Sequence, residues 1–307
     1  MIALAGPTAS GKTSLGVLLA KELDGEIISA DSMQIYKGMP IATAQPTEEE
    51  LGGVRCHLTA FLSPENNYSA ADFVRDAKNC AEDIISRGKI PIIVGGTGLY
   101  LDSFLTNTTF FSEPDTTGLR EELRQELEAV GAKEMHRRLA EIDPEAAASI
   151  HPNNTVRVLR ALEVYLATGE TITQRKKRSR EGESEYDALY LALNYKNREI
   201  LYERINKRVD MMLSDGLLDE AEKYFSMPGR ATASQAIGYK ELAPYFEGTS
   251  TLEECVENLK RATRHYAKRQ LTWFKKNESI IWLYPDEDEG FSRTALDLAK
   301  EFLQKEG

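Results

Sequence analysis

Several features are missing from this sequence of 307 residues, and each absence narrows the function. No apolar run approaches the ~20 residues that a bilayer-spanning helix needs, and no basic segment precedes an apolar stretch as in a signal peptide. We therefore expect a cytoplasmic protein with no membrane contact. The three cysteines are far apart, and so are the four histidines, which argues against a disulfide framework and against a zinc site.

The acidic net charge of −11 argues against a protein whose whole surface binds nucleic acid. Positive charge is nevertheless concentrated in two segments. Residues 175–180 hold five basic side chains, and residues 260–276 hold seven with no acidic residue. Single runs of this kind are usually solvated helix faces. Two runs, with Tyr266, Trp273 and Phe274 interleaved, favour a localised polyanion-binding stripe.

Short apolar runs alternate with helical stretches in the first hundred residues. The runs 1–5, 26–30 and 90–95 have the length of buried strands, and Ser69 to Arg87 has helical periodicity with a capping-box start. This alternation is typical of a parallel sheet with helices on both faces. The predicted fold class is therefore α/β: a P-loop NTPase-like parallel sheet flanked by helices.

The pattern becomes wholly helical between Thr116 and Gly169, and a basic stretch that we expect to be flexible follows at 170–186. A strand at 188–193 then returns the chain to the sheet, and long helices are predicted at 198–226 and 252–276. The chain is accordingly predicted to form a discontinuous core, 1–114 with 187–307, and a helical insertion domain, 115–186.

The most specific local motif is a glycine-rich loop between the first strand and the first helix. It consists of Gly6, Pro7, Thr8, Ala9, Ser10, Gly11, Lys12 and Thr13. Backbone N–H groups in such a loop cradle a phosphate chain at a helix N-terminus, the lysine neutralises charge, and the Thr13 hydroxyl is a Mg²⁺ ligand. The alternative is a glycine turn that serves only strand-to-helix packing. We predict a diphosphate or polyphosphate site with Mg²⁺ as cofactor.

Two further segments fall at predicted strand ends, where ligands of parallel sheets bind. Asp31 follows the strand 26–30, and Gly95-Gly96-Thr97 follows the strand 90–94 without the acid that many hydrolytic NTPases place there. Three roles are open to Asp31: proton acceptor, second-shell Mg²⁺ ligand, or cap of the following turn.

Taken together, six segments of the chain closely resemble the bacterial tRNA dimethylallyltransferases. They are the glycine-rich loop, DSMQIYKGMPIATA (31–44), GGTGLYLDSFL (95–105), HPNNTVRVLRALEVYLATG (151–169), QAIGYKEL (235–242) and AKRQLTWFKK (267–276). That family transfers a dimethylallyl group from dimethylallyl diphosphate to N6 of adenosine 37, next to the tRNA anticodon. The resemblance implies tRNA and dimethylallyl diphosphate as the partners of this chain.

The resemblance also implies residue roles. Asp31 would be the general base, Thr97 would position the adenine, and Arg208 would stabilise the departing diphosphate. Without the resemblance, a surface ion pair is the default for Arg208, because Asp210 lies nearby. The residues implied to contact tRNA are Asp31, Ser32, Met33, Gln34, Thr97, Arg120, Arg157, Arg160, Lys268 and Arg269.

Other functions share parts of this pattern. A nucleoside or nucleotide kinase would use the loop for ATP, and an adenylate prenyltransferase would share the whole catalytic edge. An RNA-binding NTPase switch would bind tRNA without transfer chemistry, although no acid follows the strand 90–94. We predict the tRNA prenyltransferase, acting as a monomer.

Overall fold

Six short strands form one sheet in the part of the chain that the computed structural model describes, residues 1–110, 116–179, 185–226 and 236–305. They are β1 (Ile2–Ala5), β2 (Gly25–Ala30), β3 (Cys56–His57), β4 (Ile90–Gly95), β5 (Leu189–Leu193) and β6 (Ile281–Leu283). The order across the sheet is β3-β2-β4-β1-β5-β6, and every pairing is parallel. The α/β class with a parallel sheet is confirmed.

The central strands are buried on both faces, which explains why they are uniformly apolar rather than alternating. Strand β1 pairs with β4 through Ala5 and Gly95 at the last ladder position, and with β5 on its other side. Phe73 and Phe104 pack on one face of the sheet, and Leu19 and Leu296 pack on the other. The carboxyl ends of β1, β2 and β4 therefore meet at one edge.

The described residues form fourteen helices. They are α1 (Lys12–Glu22), α2 (Glu48–Leu51), α3 (Ala70–Ser86), α4 (Gly98–Leu105), α5 (Thr117–Val130), α6 (Ala132–Ile142), α7 (Pro144–Ser149), α8 (Thr155–Thr168), α9 (Ile172–Arg178), α10 (Arg198–Ser214), α11 (Leu217–Ser226), α12 (Tyr239–Phe246), α13 (Leu252–Phe274) and α14 (Phe291–Lys305). The capping box at Ser69 is present. The single helix predicted at 198–226 is wrong, because Gly216 at φ 98° separates α10 from α11.

The contacts divide the chain into a core unit, 1–105 with 186–307, and a helical unit, 106–185; the sequence-based division lies at 114/115 and 186/187. In the helical unit, Leu123, Leu139 and Leu162 are buried in a core of their own. The prediction of a flexible 170–186 is wrong for α9, where Thr171 forms a capping box and Thr173 hydrogen-bonds to Asp143. Residues 180–184 of that segment lie outside the described residues.

None of the helices in the described ranges has a stretch both apolar and long enough to cross a bilayer.

Candidate active site

The glycine-rich loop joins β1 to α1 at the carboxyl edge of the sheet. Gly11 has a φ of 95°, a conformation that favours glycine, and it directly precedes the first turn of α1. Ala9 has a φ of 61°, which a side chain bearing Cβ adopts at a cost of order 1–3 kcal/mol. The surrounding structure must therefore hold this loop in place.

Three side chains from distant parts of the core unit hold the loop. The Tyr195 hydroxyl donates to Ser10 O at 3.1 Å, and Arg204 Nε donates to Ala9 O at 2.9 Å. The backbone N–H of Thr8 donates to Gln270 Oε1 at 2.9 Å. Sequence reasoning assigned none of the three a role. Gln270 had a usable signal, since it lies on the same buried face of α13 as Ala267 and Phe274, where a polar residue needs a partner.

A cavity of about 330 Å³ opens beside the loop. One part of its wall is polar and is formed by Lys12, Thr13, Asp31 and Arg208. The lining also includes the apolar residues Met33, Ala42, Ile205, Val209, Met212, Leu217 and Leu259. The cavity therefore suits a molecule with an anionic head and a short hydrocarbon tail.

Among the described residues, no carboxylate forms an ion pair with Lys12 or Arg208, although Lys12 Nζ donates to Pro7 O at 3.3 Å. Burial lowers the pKa of Lys12 to about 8, with Asp31 opposing this shift and Arg208 adding to it. Burial also lowers the pKa of Arg208. Neither side chain forms an ion pair with any described residue, and Asp210 pairs instead with Lys260 at 2.7 Å. The surface ion pair considered for Arg208 is therefore not formed, and the two cations make an anion site.

Asp31 and Thr97 link the ends of β2 and β4. Asp31 Oδ1 accepts from the backbone N–H of Met33 at 2.9 Å, so the turn-capping role is realised. Among the described residues, its Oδ2 has no hydrogen-bond partner and is free for a ligand. Thr97 Oγ1 accepts from the backbone N–H of Ser32 at 3.0 Å, which fixes the residue next to Asp31.

The segment that follows Asp31 is held by buried polar groups. Gln34 Nε2 donates to Ala44 O at 2.8 Å, and its Oε1 accepts from Ser29 Oγ at 2.9 Å, so this side chain is engaged within the protein. Glu220 accepts from the backbone N–H groups of Ile41 and Ala42, both at 2.8 Å. The Tyr239 hydroxyl also donates to Glu220. Sequence reasoning missed Glu220, because an acidic side chain in a helix is usually exposed to solvent.

The residues present fit Mg²⁺. The Thr13 hydroxyl and the Asp31 carboxylate line the same cavity and are hard oxygen ligands. The described residues contain no group of three or more His, Cys, Asp or Glu side chains that could hold a metal alone. This donor set matches the way Mg²⁺ binds, with one or two protein oxygens and the remainder from phosphate and water. In addition, the buried Ser10 Oγ of the loop has no hydrogen-bond partner among the described residues.

The predicted tRNA-contacting cations fall at several places. In the core unit, Arg269 lines the cavity, whereas Lys268 lies in a separate groove with Arg198 and Lys275. Arg198 belongs to α10, Lys268 and Arg269 belong to α13, and Lys275 directly follows α13.

The helical unit carries the other three cations that were predicted to contact tRNA, Arg120, Arg157 and Arg160. Glu163 is 2% exposed and receives ion pairs from Arg120 at 2.7 Å and from Arg160 at 3.1 Å. Burial opposes ionisation of Glu163, but hydrogen bonds from Arg120, Thr116 and Arg160 hold its pKa below the usual value. Arg157 is exposed and forms no ion pair with any residue that the structure describes. The pair of arginines held by Glu163 remains half-exposed and available to phosphates.

A glycine-rich loop that joins a strand to a helix at the carboxyl edge of a parallel sheet defines a P-loop-like α/β protein. A sequence profile of the IPP transferase family matches residues 34–277. The chain belongs to that family.

Individual relatives agree over nearly the whole chain. It is 49% identical over 283 residues to the tRNA dimethylallyltransferase of Bacillus subtilis (strain 168), covering 92% of this chain and 90% of the relative. The corresponding protein of Halalkalibacterium halodurans is 43% identical over 305 residues, covering 99% and 94%.

Solved structures agree as well. The tRNA isopentenylpyrophosphate transferase of Bacillus halodurans superposes with a TM-score of 0.74 at 40% identity, covering 99% of this chain and 96% of that one. A eukaryotic dimethylallyltransferase acting on tRNA gives a TM-score of 0.84 at 32% identity, covering 99% and 79%.

Proposed function

We propose that this protein transfers the dimethylallyl group of dimethylallyl diphosphate to N6 of adenosine 37 in tRNA, releasing diphosphate. The observation that carries the proposal is one cavity whose wall includes Asp31, apolar side chains, and Lys12 and Arg208, which form no ion pair with any described residue. The cations suit the diphosphate, and the apolar lining suits the five-carbon group.

The chemistry forms one bond and breaks one. The adenine N6 attacks C1 of the dimethylallyl group, and the C1–O bond breaks with its electron pair leaving on the diphosphate. N6 loses a proton, and the free Oδ2 of Asp31 accepts it. The second oxygen, Oδ1, stays bonded to Met33 N and keeps the carboxylate in orientation.

Charge that accumulates on the diphosphate is stabilised by Lys12, Arg208 and the backbone N–H groups of the loop. Thr13 would hold Mg²⁺ there. Asp31 lines the same cavity. When bound, Mg²⁺ supplies further positive charge toward the leaving group. Thr97 and Ser32, joined by a hydrogen bond, position the adenine opposite C1.

The adenine must leave the anticodon-loop stack to reach the cavity. Ser32, Met33 and Gln34 follow Asp31 and are placed to contact the extruded nucleotide, Met33 through its side chain at the cavity wall. Arg120, Arg157 and Arg160 of the helical unit and Lys268 and Arg269 of α13 supply cations for tRNA phosphates. We infer a cytoplasmic monomer; light scattering with and without tRNA would measure its mass.

One assay separates this proposal from the kinase and the adenylate prenyltransferase. The protein is incubated with Mg²⁺, radiolabelled dimethylallyl diphosphate, and unmodified tRNA, AMP or neither. We expect label in tRNA alone, and a matched tRNA with guanosine at position 37 should stay unlabelled. Label in AMP but not in tRNA, or ATP turnover without prenyl transfer, would contradict the proposal.

A further inference from the structure

We infer that Gln270 is a positioning residue that fixes the phosphate loop and the Gly95-Gly96-Thr97 loop relative to one another. This inference rests on the proposed prenyl transfer, because the two loops hold the two reactants. Gln270 would thereby set the separation between C1 of the donor and N6 of the adenine.

The side chain of Gln270 bridges the two loops through both ends of its amide. Oε1 accepts from Thr8 N at 2.9 Å, and Nε2 donates to Gly96 O at 3.0 Å. Gln270 is 5% exposed and lies in the cavity wall, but both ends of its amide are already engaged by the two loops. A role through other residues therefore fits Gln270 better than direct contact with tRNA.

The Gln270 bridge lies just beyond the carboxyl ends of the paired strands β1 and β4. Strands β1 and β4 are paired up to Ala5 and Gly95, and beyond that point the two chains separate into their loops. Gln270 supplies the next connection between them, three residues past Ala5 and one past Gly95. It thus extends the rigidity of the sheet into the reacting region.

The bridge also leads to the proposed base. Gly96 directly precedes Thr97, whose Oγ1 accepts from Ser32 N beside Asp31. A continuous set of hydrogen bonds and peptide links therefore runs from Thr8 through Gln270 to Ser32. A shift at Gln270 would move the adenine-positioning residues against the diphosphate cradle.

Close packing keeps α13 against these loops. A Cβ added to Gly96 would lie 2.2 Å from Gln270 Nε2, and one added to Gly98 would lie 2.2 Å from Trp273 Cδ1. Trp273 Nε1 also donates to Asp102 Oδ2 at 2.6 Å. The two glycines therefore allow the approach that brings Gln270 between the loops.

Two substitutions test the bridge. Gln270→Leu keeps the approximate size and removes both hydrogen bonds, so we expect kcat to fall about 100-fold, the typical effect of an ångström-scale misplacement. The Kd for dimethylallyl diphosphate without tRNA should change less than about threefold, because Lys12, Arg208 and most loop N–H groups remain. Single-turnover transfer and calorimetry measure these two quantities.

Gln270→Glu adds a second measurement, the pH dependence of kcat, which a merely structural role of Gln270 would not change. The ionised carboxylate can accept from Thr8 N but repels Gly96 O, whereas the protonated acid can accept and donate as the amide does. Burial raises the pKa of such a carboxyl. From about pH 8.5 to about pH 5.5 we expect the ratio of variant kcat to wild-type kcat to rise at least about tenfold, while Gln270→Leu shows a constant ratio.

Gln304→Glu, which makes the same change on the exposed surface of α14, is the matched control and should follow the wild type at every pH. A Gln270→Glu ratio that stays constant with pH, or a Gln270→Leu kcat equal to the wild type, would overturn the inference. An equal loss of donor affinity and kcat in Gln270→Leu would also overturn it. Failure of the wild-type protein to label tRNA would instead refute the proposed function.

Discussion

The charged side chains at the two ends of the parallel sheet differ in whether they have ion-pair partners among the described residues. At the amino end, Glu26 is 5% exposed and is bonded to Arg87 and to His57 Nε2, the latter at 2.8 Å. The Arg87 hydrogen bonds are the largest cause that lowers the pKa of Glu26 to about 2. At the carboxyl end, Lys12 and Arg208 lack carboxylate partners among the described residues, and burial lowers the pKa of each.

The difference separates structural charge from functional charge. A buried charge costs free energy unless it is paired, so an internal pair serves the fold and an unpaired group awaits a ligand. Under the proposed function, the diphosphate of the substrate would offset this cost at the carboxyl end. We expect four changes to test this contrast, and their effects should decrease from Asp31 to Lys12.

Asp31→Asn should lower kcat about 1000-fold, because the amide cannot accept the N6 proton. The amide oxygen can still accept from Met33 N, so the turn and the Kd for dimethylallyl diphosphate should be preserved. Single-turnover transfer and calorimetry provide the two measurements, with the exposed Asp288→Asn as control. An equal collapse of donor binding would show that Asp31 belongs to the metal site instead.

Arg208→Met should lower kcat/KM about 100-fold, because one cation that stabilises the departing diphosphate is lost. The melting temperature without ligands should stay the same or rise, since the variant removes a half-buried charge that has no ion-pair partner among the described residues. Arg293→Met, on the exposed face of α14, is the matched control. A clear fall in melting temperature would place Arg208 among the structural charges.

Glu26→Gln should lower the free energy of unfolding by about 2 kcal/mol at pH 7 and leave kcat unchanged, because it weakens a buried ion pair far from the cavity. The folded-state pKa of Glu26 lies below its ordinary 4.5, so its stabilisation is complete above pH 4.5 and is lost as the pH falls toward 2. Urea titrations between those pH values should show a shallower loss for the variant. Matching curves would contradict the structural role.

The affinity for dimethylallyl diphosphate should weaken about tenfold between pH 7 and pH 9. Lys12 has a pKa of about 8 in the ligand-free protein, so its charge must be restored by proton uptake when the anion binds at higher pH. Lys12→Arg should flatten this dependence because arginine stays charged. Calorimetry in buffers of different ionisation enthalpy would count the proton taken up.

Much of the fold follows from local patterns. The predicted strands 1–5, 26–30, 90–95 and 188–193 correspond to β1, β2, β4 and β5, and the segment predicted to be wholly helical contains helices α5 to α8. Strand β3 has only two residues and is too short for a periodic signal, and the eight residues of α4 directly follow a glycine-rich loop without a predicted helix start. Gly216 shows the same limit, since a left-handed residue ends a helix whose apolar pattern continues.

The site residues also divide into those that the sequence pattern predicts and those that it does not. Lys12, Thr13, Asp31 and Thr97 could be predicted because strand-end positions of a parallel sheet converge by topology. Tyr195, Arg204, Glu220 and Gln270 act through hydrogen bonds across about 180 to 260 positions of the chain, which leave no local pattern. Tyr195, Glu220 and Gln270 are buried, which for Gln270 could be anticipated from the apolar face of its helix. Arg204 is exposed and is revealed only by its hydrogen bond to Ala9 O in the folded protein.

The interrupted core has a consequence for synthesis on the ribosome. Ile2 of β1 lies between Ile92 of β4 and Leu189 of β5, so the first strand made waits for a neighbour translated after residues 106–185. The helical unit, whose contacts are local, can assemble from the nascent chain during that wait. A nascent chain that has emerged only as far as residue 185 would therefore have one edge of β1 open after the helical unit has formed, and chaperones that recognise open sheet edges should bind most strongly at that stage.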